Sequence, residues 1–161
     1  MEVNACREAL GSLLSQEVSL LSELAGLLER EHGLLVANDV DSLEKAMDER
    51  QVTVGKLLQT EDERRLLCRA HGRETDAEGI AQLMAWCDPS GMLKTRWADC
   101  AKGATQCREL NDRNGALVTA RMRRVETLLG AITGQSQEAP TYGPKGAYAS
   151  VRSGRVLASK A

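Results

Sequence analysis

The sequence predicts an all-α protein: an antiparallel up-and-down bundle of long helices, three long and one short, with a disordered C-terminal tail. Three observations carry this. A Leu-Leu pair recurs every seven residues in the first segment, at Leu13-Leu14, Leu20-Leu21, Leu27-Leu28 and Leu34-Leu35, the period of a helix face and not of a strand. Phe is absent and aromatics are 2% of the chain, so the core must come from Leu, Ala and Met, good helix formers, and not from the aromatic and β-branched residues that favour sheets. Apolar residues make up 42% of 161, enough for one domain with a modest core.

The first helix is expected over about Asn4 to Val36, with Leu10 ahead of the first leucine pair and Leu24 between the second and third, at three-to-four spacing; at the α-helical rise it is roughly 50 Å long. Adjacent leucines widen the stripe beyond a two-position seam. Glu17 and Glu31 stand where Leu10 and Leu24 would repeat, so charge interrupts one edge. "ANDVDSLEKAM" then marks a turn and a restart, with Asp39 or Asp41 placed to cap a second helix. Its expected apolar face is Val40, Leu43, Met47, Val54, Leu57, Leu58 and Leu67, ending near Ala70. After the polar break "HGRETD", Thr75 and Glu78 have capping-box spacing ahead of a short helix over about Ala77 to Cys87. "DPSG" at 88–91 is a turn, because Pro89 disfavours helix at Asp88.

The last long helix begins near Met92. Its seam runs Leu93, Trp97, Cys100, Ala104, Cys107, Asn111, Asn114, Val118, Arg121, Val125, Leu128, Ile132 in steps of three and four. That unbroken phase predicts one helix of roughly 60 Å. Asn114-Gly115 is a turn signal in other settings; a break at "NDRNG" is the alternative. Residues 1–132 form the expected bundle domain. Residues 133–161 are rich in Gly, Ser and Ala, hold two of the three prolines and lack a sustained period, as expected of a flexible, mildly basic tail.

No catalytic set can be assembled, and no cofactor or metal is expected. The two histidines, His32 and His71, have polar neighbours in sequence and read as surface residues. Cys6, Cys68, Cys87, Cys100 and Cys107 are odd in number and form no Cys-x-x-Cys pair, which points to free thiols in a reducing cytoplasm. Cys100 and Cys107 read as small buried residues, since zinc needs four ligands. No phosphate loop or nucleophile elbow occurs. No membrane span or signal peptide is expected. The net charge is −2 and "RMRR" at 121–124 is a short cluster, so no nucleic-acid partner is expected.

What stands out is polarity inside the last seam: Asn111, Asn114 and Arg121 within three turns. A buried Asn costs stability unless paired. Either these residues pair across the bundle and set its register, or this stretch is left uncovered and receives a partner.

"CRELNDRNGALVTARMRRVETLLGAITGQ", followed by "TYGPKG" and a Ser/Arg/Gly tail, resembles the FlgN family of flagellar type III export chaperones. The shared pattern is Leu110, Asn111, Asn114 and Gly115 in the last helix, then Tyr142, Gly143 and Gly146. The resemblance implies a cytoplasmic chaperone that holds the helical C-terminal ends of hook-associated proteins, keeps them from polymerising and brings them to the export gate. It implies client contacts at Leu110, Asn111, Asn114, Gly115, Leu117, Val118, Arg121 and Val125, and gate docking at Tyr142, Gly143 and Gly146. A monomer or weak homodimer is expected. The alternative is a coiled-coil homodimer, structural or adaptor in role, that pairs its own leucine face.

Overall fold

The computed structural model describes residues 2–134. Of the expected tail, Thr133 is the last residue of the final helix and Gly134 is described, while the rest, with Tyr142, Gly143 and Gly146, lies outside the described residues. Four helices follow one another: α1 (Glu2–Ala37), α2 (Val40–Ala70), α3 (Ala77–Cys87) and α4 (Met92–Thr133). Contacts divide the chain at Ala120 and Arg121 into two units, treated separately below.

In the first unit α1 is the central helix. Of its leucine pairs, Leu14, Leu20, Leu21, Leu27, Leu28 and Leu35 are buried, and Leu13 and Leu34 half-buried. The leucine face therefore finds cover within the chain. α2 returns antiparallel to α1, and α4, running back up, packs against both, with Arg64 of α2 over the Trp97 ring of α4. The short α3 closes the base, where Ile80, Leu83, Met84 and Cys87 pack with Cys6, Leu10, Leu14 and Cys68. The long helices thus alternate up, down, up.

The connections follow local rules. α1 ends with Asn38 at φ 56 and bonds from Asn38 N to Leu35 O and Asp39 N to Leu34 O, a Schellman motif with Asn at the left-handed position. Asp39, and not Asp41, caps α2, accepting from Ser42 N at 3.1 Å. Gly72 at φ 65 ends α2 in the same manner, with Arg73 N on Cys68 O. Asp88 in the "DPSG" turn accepts from Leu93 N at 2.7 Å and from the Ser90 hydroxyl, and so starts α4. Those hydrogen bonds, Ser90's first, hold its carboxyl below the usual range.

Two expectations need correction. The Thr75–Glu78 capping box does not form: Asp76 caps α3 from one residue further on, accepting from Gly79 N at 2.8 Å, and Glu78 accepts from Gln82 instead. The apolar face assigned to α2 holds only in part: Leu43, Leu57 and Leu67 are half-buried, the last two packed against the core. Val40, Met47, Val54 and Leu58 are exposed, while Ala46, Thr53, Thr60, Arg64 and Cys68 are buried. α2 meets α1 through small and polar side chains, each polar one with a partner. Thr60 Oγ1 donates to the Lys56 carbonyl, and Thr53 Oγ1 donates to Glu23 at 2.7 Å.

Gly79 gives a direct test of the α3 junction. A Cβ built there lies 2.0 Å from the Glu74 carbonyl oxygen, which is backbone and has no rotamer to escape into. Gly79→Ala is expected to lower stability by about 1–3 kcal/mol, read as a lower midpoint in urea unfolding. An unchanged midpoint would mean that the 73–76 segment moves aside freely.

Candidate functional site

α1 and α4 are joined by a ladder with a seven-residue step. Cys100 Sγ donates to the Leu14 carbonyl at 3.5 Å, Cys107 Sγ to the Leu21 carbonyl at 3.3 Å, and Asn114 Nδ2 to the Leu28 carbonyl at 2.8 Å. Each rung uses the spare lone pair of a helical carbonyl, and the equal steps require the two helices to run parallel. Gly103 lies between rungs because Leu21 is close: a Cβ there would sit 3.1 Å from Leu21 Cβ. All five cysteines are buried and free. Burial pushes the Cys100 and Cys6 thiols up to about 12, so they act as neutral packing groups and, for Cys100, as a hydrogen-bond donor.

The polar cluster of the last seam separates into distinct roles. Asn114 is 5% exposed, and beyond its Leu28 bond its Oδ1 accepts from His32 Nδ1 at 3.1 Å. His32 is thus half-buried and engaged, where the sequence suggested a surface position. Asn111 is exposed and lines a groove of about 450 Å³ with Leu24 and Leu28 as floor and Arg50, Gln51, Val54, Cys107 and Arg108 as the remaining walls. Below this groove Arg64 of α2 lies over the Trp97 ring of α4, 4.8 Å from its centroid. The groove is the stretch beyond that contact, above the reach of α3.

Of the other residues singled out from the sequence, Leu110 is buried, Leu117 half-buried, Gly115 and Val118 exposed. Arg121 and Val125 belong to the second unit, whose described part is Arg121–Gly134. There Arg121 is half-buried and Val125 is 50% exposed. Sequence reasoning gave less weight to the neighbours of Val125. Met122, Leu128, Leu129 and Ile132 are all more than half exposed. Met122, Val125, Leu129 and Ile132 follow at steps of three, four and three, which aligns them on one helix face. That spacing was visible in the sequence. What could not be read there was how exposed each of these side chains is.

Two carboxylates are held inside the first unit. Glu17 pairs with Arg64 (3.4 Å) and Glu31 with Arg50 (3.2 Å). Fourteen residues separate the two glutamates and the two arginines alike, so antiparallel helices satisfy both pairs in one register and neither after a slip. Burial raises both carboxyls above the usual range, with the arginines opposing it. Among the described residues no three His, Cys, Asp or Glu side chains come together as metal ligands, and no helix is long and apolar enough to cross a membrane.

The two asparagines predict opposite outcomes. Asn114→Leu removes the Leu28 carbonyl's extra donor and leaves His32 Nδ1 without its acceptor, and is expected to cost about 1–3 kcal/mol. Asn111→Leu adds apolar surface beside Val54 and Leu24 without breaking a bond, and is expected to raise the melting temperature. Thermal unfolding of both variants checks this; a shift of the same sign in both would refute the division of roles.

The family model described as "FlgN protein" matches residues 1–150. Neither a curated protein nor a solved structure matches the chain. A match over so much of the chain, on an all-helical fold with an open apolar face, places it by descent: this chain belongs to the FlgN family of flagellar export chaperones.

Proposed function

We propose that this chain binds the helical C-terminal ends of flagellar hook-associated proteins, keeps them from polymerising, and delivers them to the flagellar type III export gate. The observation that supports this most is the uncovered face of Met122, Val125, Leu129 and Ile132. Four apolar side chains at helical spacing suit a client helix laid alongside, anchored at the same three-to-four steps. Apolar burial is worth about 25 cal/mol per Å², so a few such anchors supply a useful gross affinity before ordering costs. In the first unit Leu110 and Asn114 fix α4 against α1, and Asn111, Gly115, Leu117 and Val118 are further proposed client contacts; in the second unit Arg121 belongs with the apolar face.

In this reading residues 1–132 hold the client and residues 133–161 carry the docking element Tyr142, Gly143 and Gly146. An aromatic ring between small residues can anchor a short motif while its hydroxyl takes one hydrogen bond. The test is client affinity and secretion measured side by side. Tyr142→Ala is expected to leave client affinity unchanged and to reduce secretion of hook-associated proteins. Loss of client affinity with gate binding intact would refute this division.

The same apolar face could instead pair with its own copy, the homodimeric adaptor reading. Sedimentation across a concentration range decides: a monomer or weak dimer that releases its partner when a hook-associated protein is added supports the chaperone, and a tight dimer indifferent to that addition supports the adaptor.

A further inference from the structure

The helical segment that carries the proposed client face is electrically lopsided along its axis. In the segment 121–133 every cation, Arg121, Arg123 and Arg124, lies within the first four residues; Glu126 follows, and residues 127–133 carry no charge. Arg123 and Arg124 are exposed, and among the described residues neither has a carboxylate partner. Helical geometry puts Arg124 four residues before Leu128, on one edge of the apolar face, Glu126 four after Met122 on the other edge, and Arg123 on the far side of the helix, so it is the Arg124 guanidinium that sits beside the surface an occupant would cover.

Covering that face strips water from its rim. A cation that loses hydration without gaining a partner is penalised, and a carboxylate laid over Leu128, Leu129 and Ile132 is penalised for the same reason. The most favourable occupant is then itself lopsided. We propose that the face takes an amphipathic helix whose carboxylates are confined to the end lying over residues 121–124, and whose other end, over residues 128–133, is uncharged. This rests on the client-binding reading above and specifies the chemistry of what is bound. A nucleic acid would also satisfy the arginines. It would leave the four aligned apolar side chains uncovered, and no aromatic residue in 121–133 offers a base a stacking surface.

The experiment uses the full chain and three synthetic amphipathic peptides with the same leucine anchors: one with glutamates at one end, one with glutamines replacing them, and one with glutamates at both ends. Binding is read by fluorescence anisotropy. The one-ended peptide is expected to bind about five- to tenfold more tightly than either of the others, with the advantage over the uncharged peptide shrinking in high salt. Arg124→Glu, at an exposed position on the edge of the face, is expected to reverse the order in favour of a peptide with lysines at one end. Equal affinity of the one-ended and uncharged peptides overturns this inference and leaves the client reading standing. Tightest binding of the two-ended peptide overturns it as well, because attraction would then be diffuse. Failure of every peptide overturns both, and so does displacement of a bound peptide by a single-stranded oligonucleotide.

Discussion

Leu129→Asp combined with Ile132→Asp is expected to abolish capture of hook-associated proteins while leaving the fold intact. The two side chains are 56% and 81% exposed, so the free protein gives up little packing. In a complex each would be an apolar anchor worth about 1.5–3 kcal/mol when buried. Each aspartate also brings a charge that loses hydration without a partner, since residues 127–133 contain no cation. The loss of affinity should exceed about 100-fold. Calorimetric titration with a hook-associated protein, beside thermal unfolding of the variant, measures both halves. Unchanged affinity would move the client surface elsewhere, with the groove at Asn111 next in order. Unfolding of the variant would show instead that this face has a structural role.

The second large effect lies at the Glu17–Arg64 pair. Arg64 is 8% exposed, pairs with Glu17 and covers Trp97. Arg64→Ala leaves the Glu17 carboxylate inside without compensation, at a cost of about 3–5 kcal/mol. The sign of its pH dependence follows from the carboxyl. Burial raises the folded-state pKa of Glu17 above its unfolded value and Arg64 opposes that, so removing Arg64 raises it further. A carboxyl raised on folding contributes more stability as its neutral form, so the deficit of Arg64→Ala should be largest at neutral pH and shrink as pH falls through the folded pKa. Glu17→Leu/Arg64→Leu should recover most of the loss, because apolar residues of similar size need no partner. Urea unfolding at neutral and mildly acid pH checks all three. A deficit that does not change with pH would mean that packing over Trp97, and not charge, is what Arg64 supplies.

How much of this was legible in the sequence varies by element. α1 was plain because its leucine pairs repeat without a slip, and the helix extends only one or two residues past the expected ends at both termini. α4 runs unbroken through Asn114-Gly115, since a side-chain bond to α1 and an intact apolar phase outweigh a local turn preference. α2 misled because its core side is Ala46, Thr53 and Thr60, seven residues apart and nearly devoid of hydrophobicity. A threonine that returns its hydroxyl to its own helix packs like valine, and hydropathy does not register that. The spacing of seven would have found the face. Asn111 and Asn114 could not be told apart by sequence, because three residues along a helix decide between facing a carbonyl of α1 and facing the groove.

A chain whose first and last long helices lie side by side in the same direction cannot close its core until most of it has been synthesised. The α1–α2 hairpin needs only Asn38 and Asp39 to turn, so it forms early from local contacts. The bonds between α1 and α4 join residues 82 to 86 apart. Leu14, Leu21 and Leu28 therefore wait, on a growing chain, for Cys100, Cys107 and Asn114 to emerge. During that interval the nascent protein carries open the same kind of apolar strip that it is proposed to shield in others, and chains stalled before Cys100 are the ones that should aggregate.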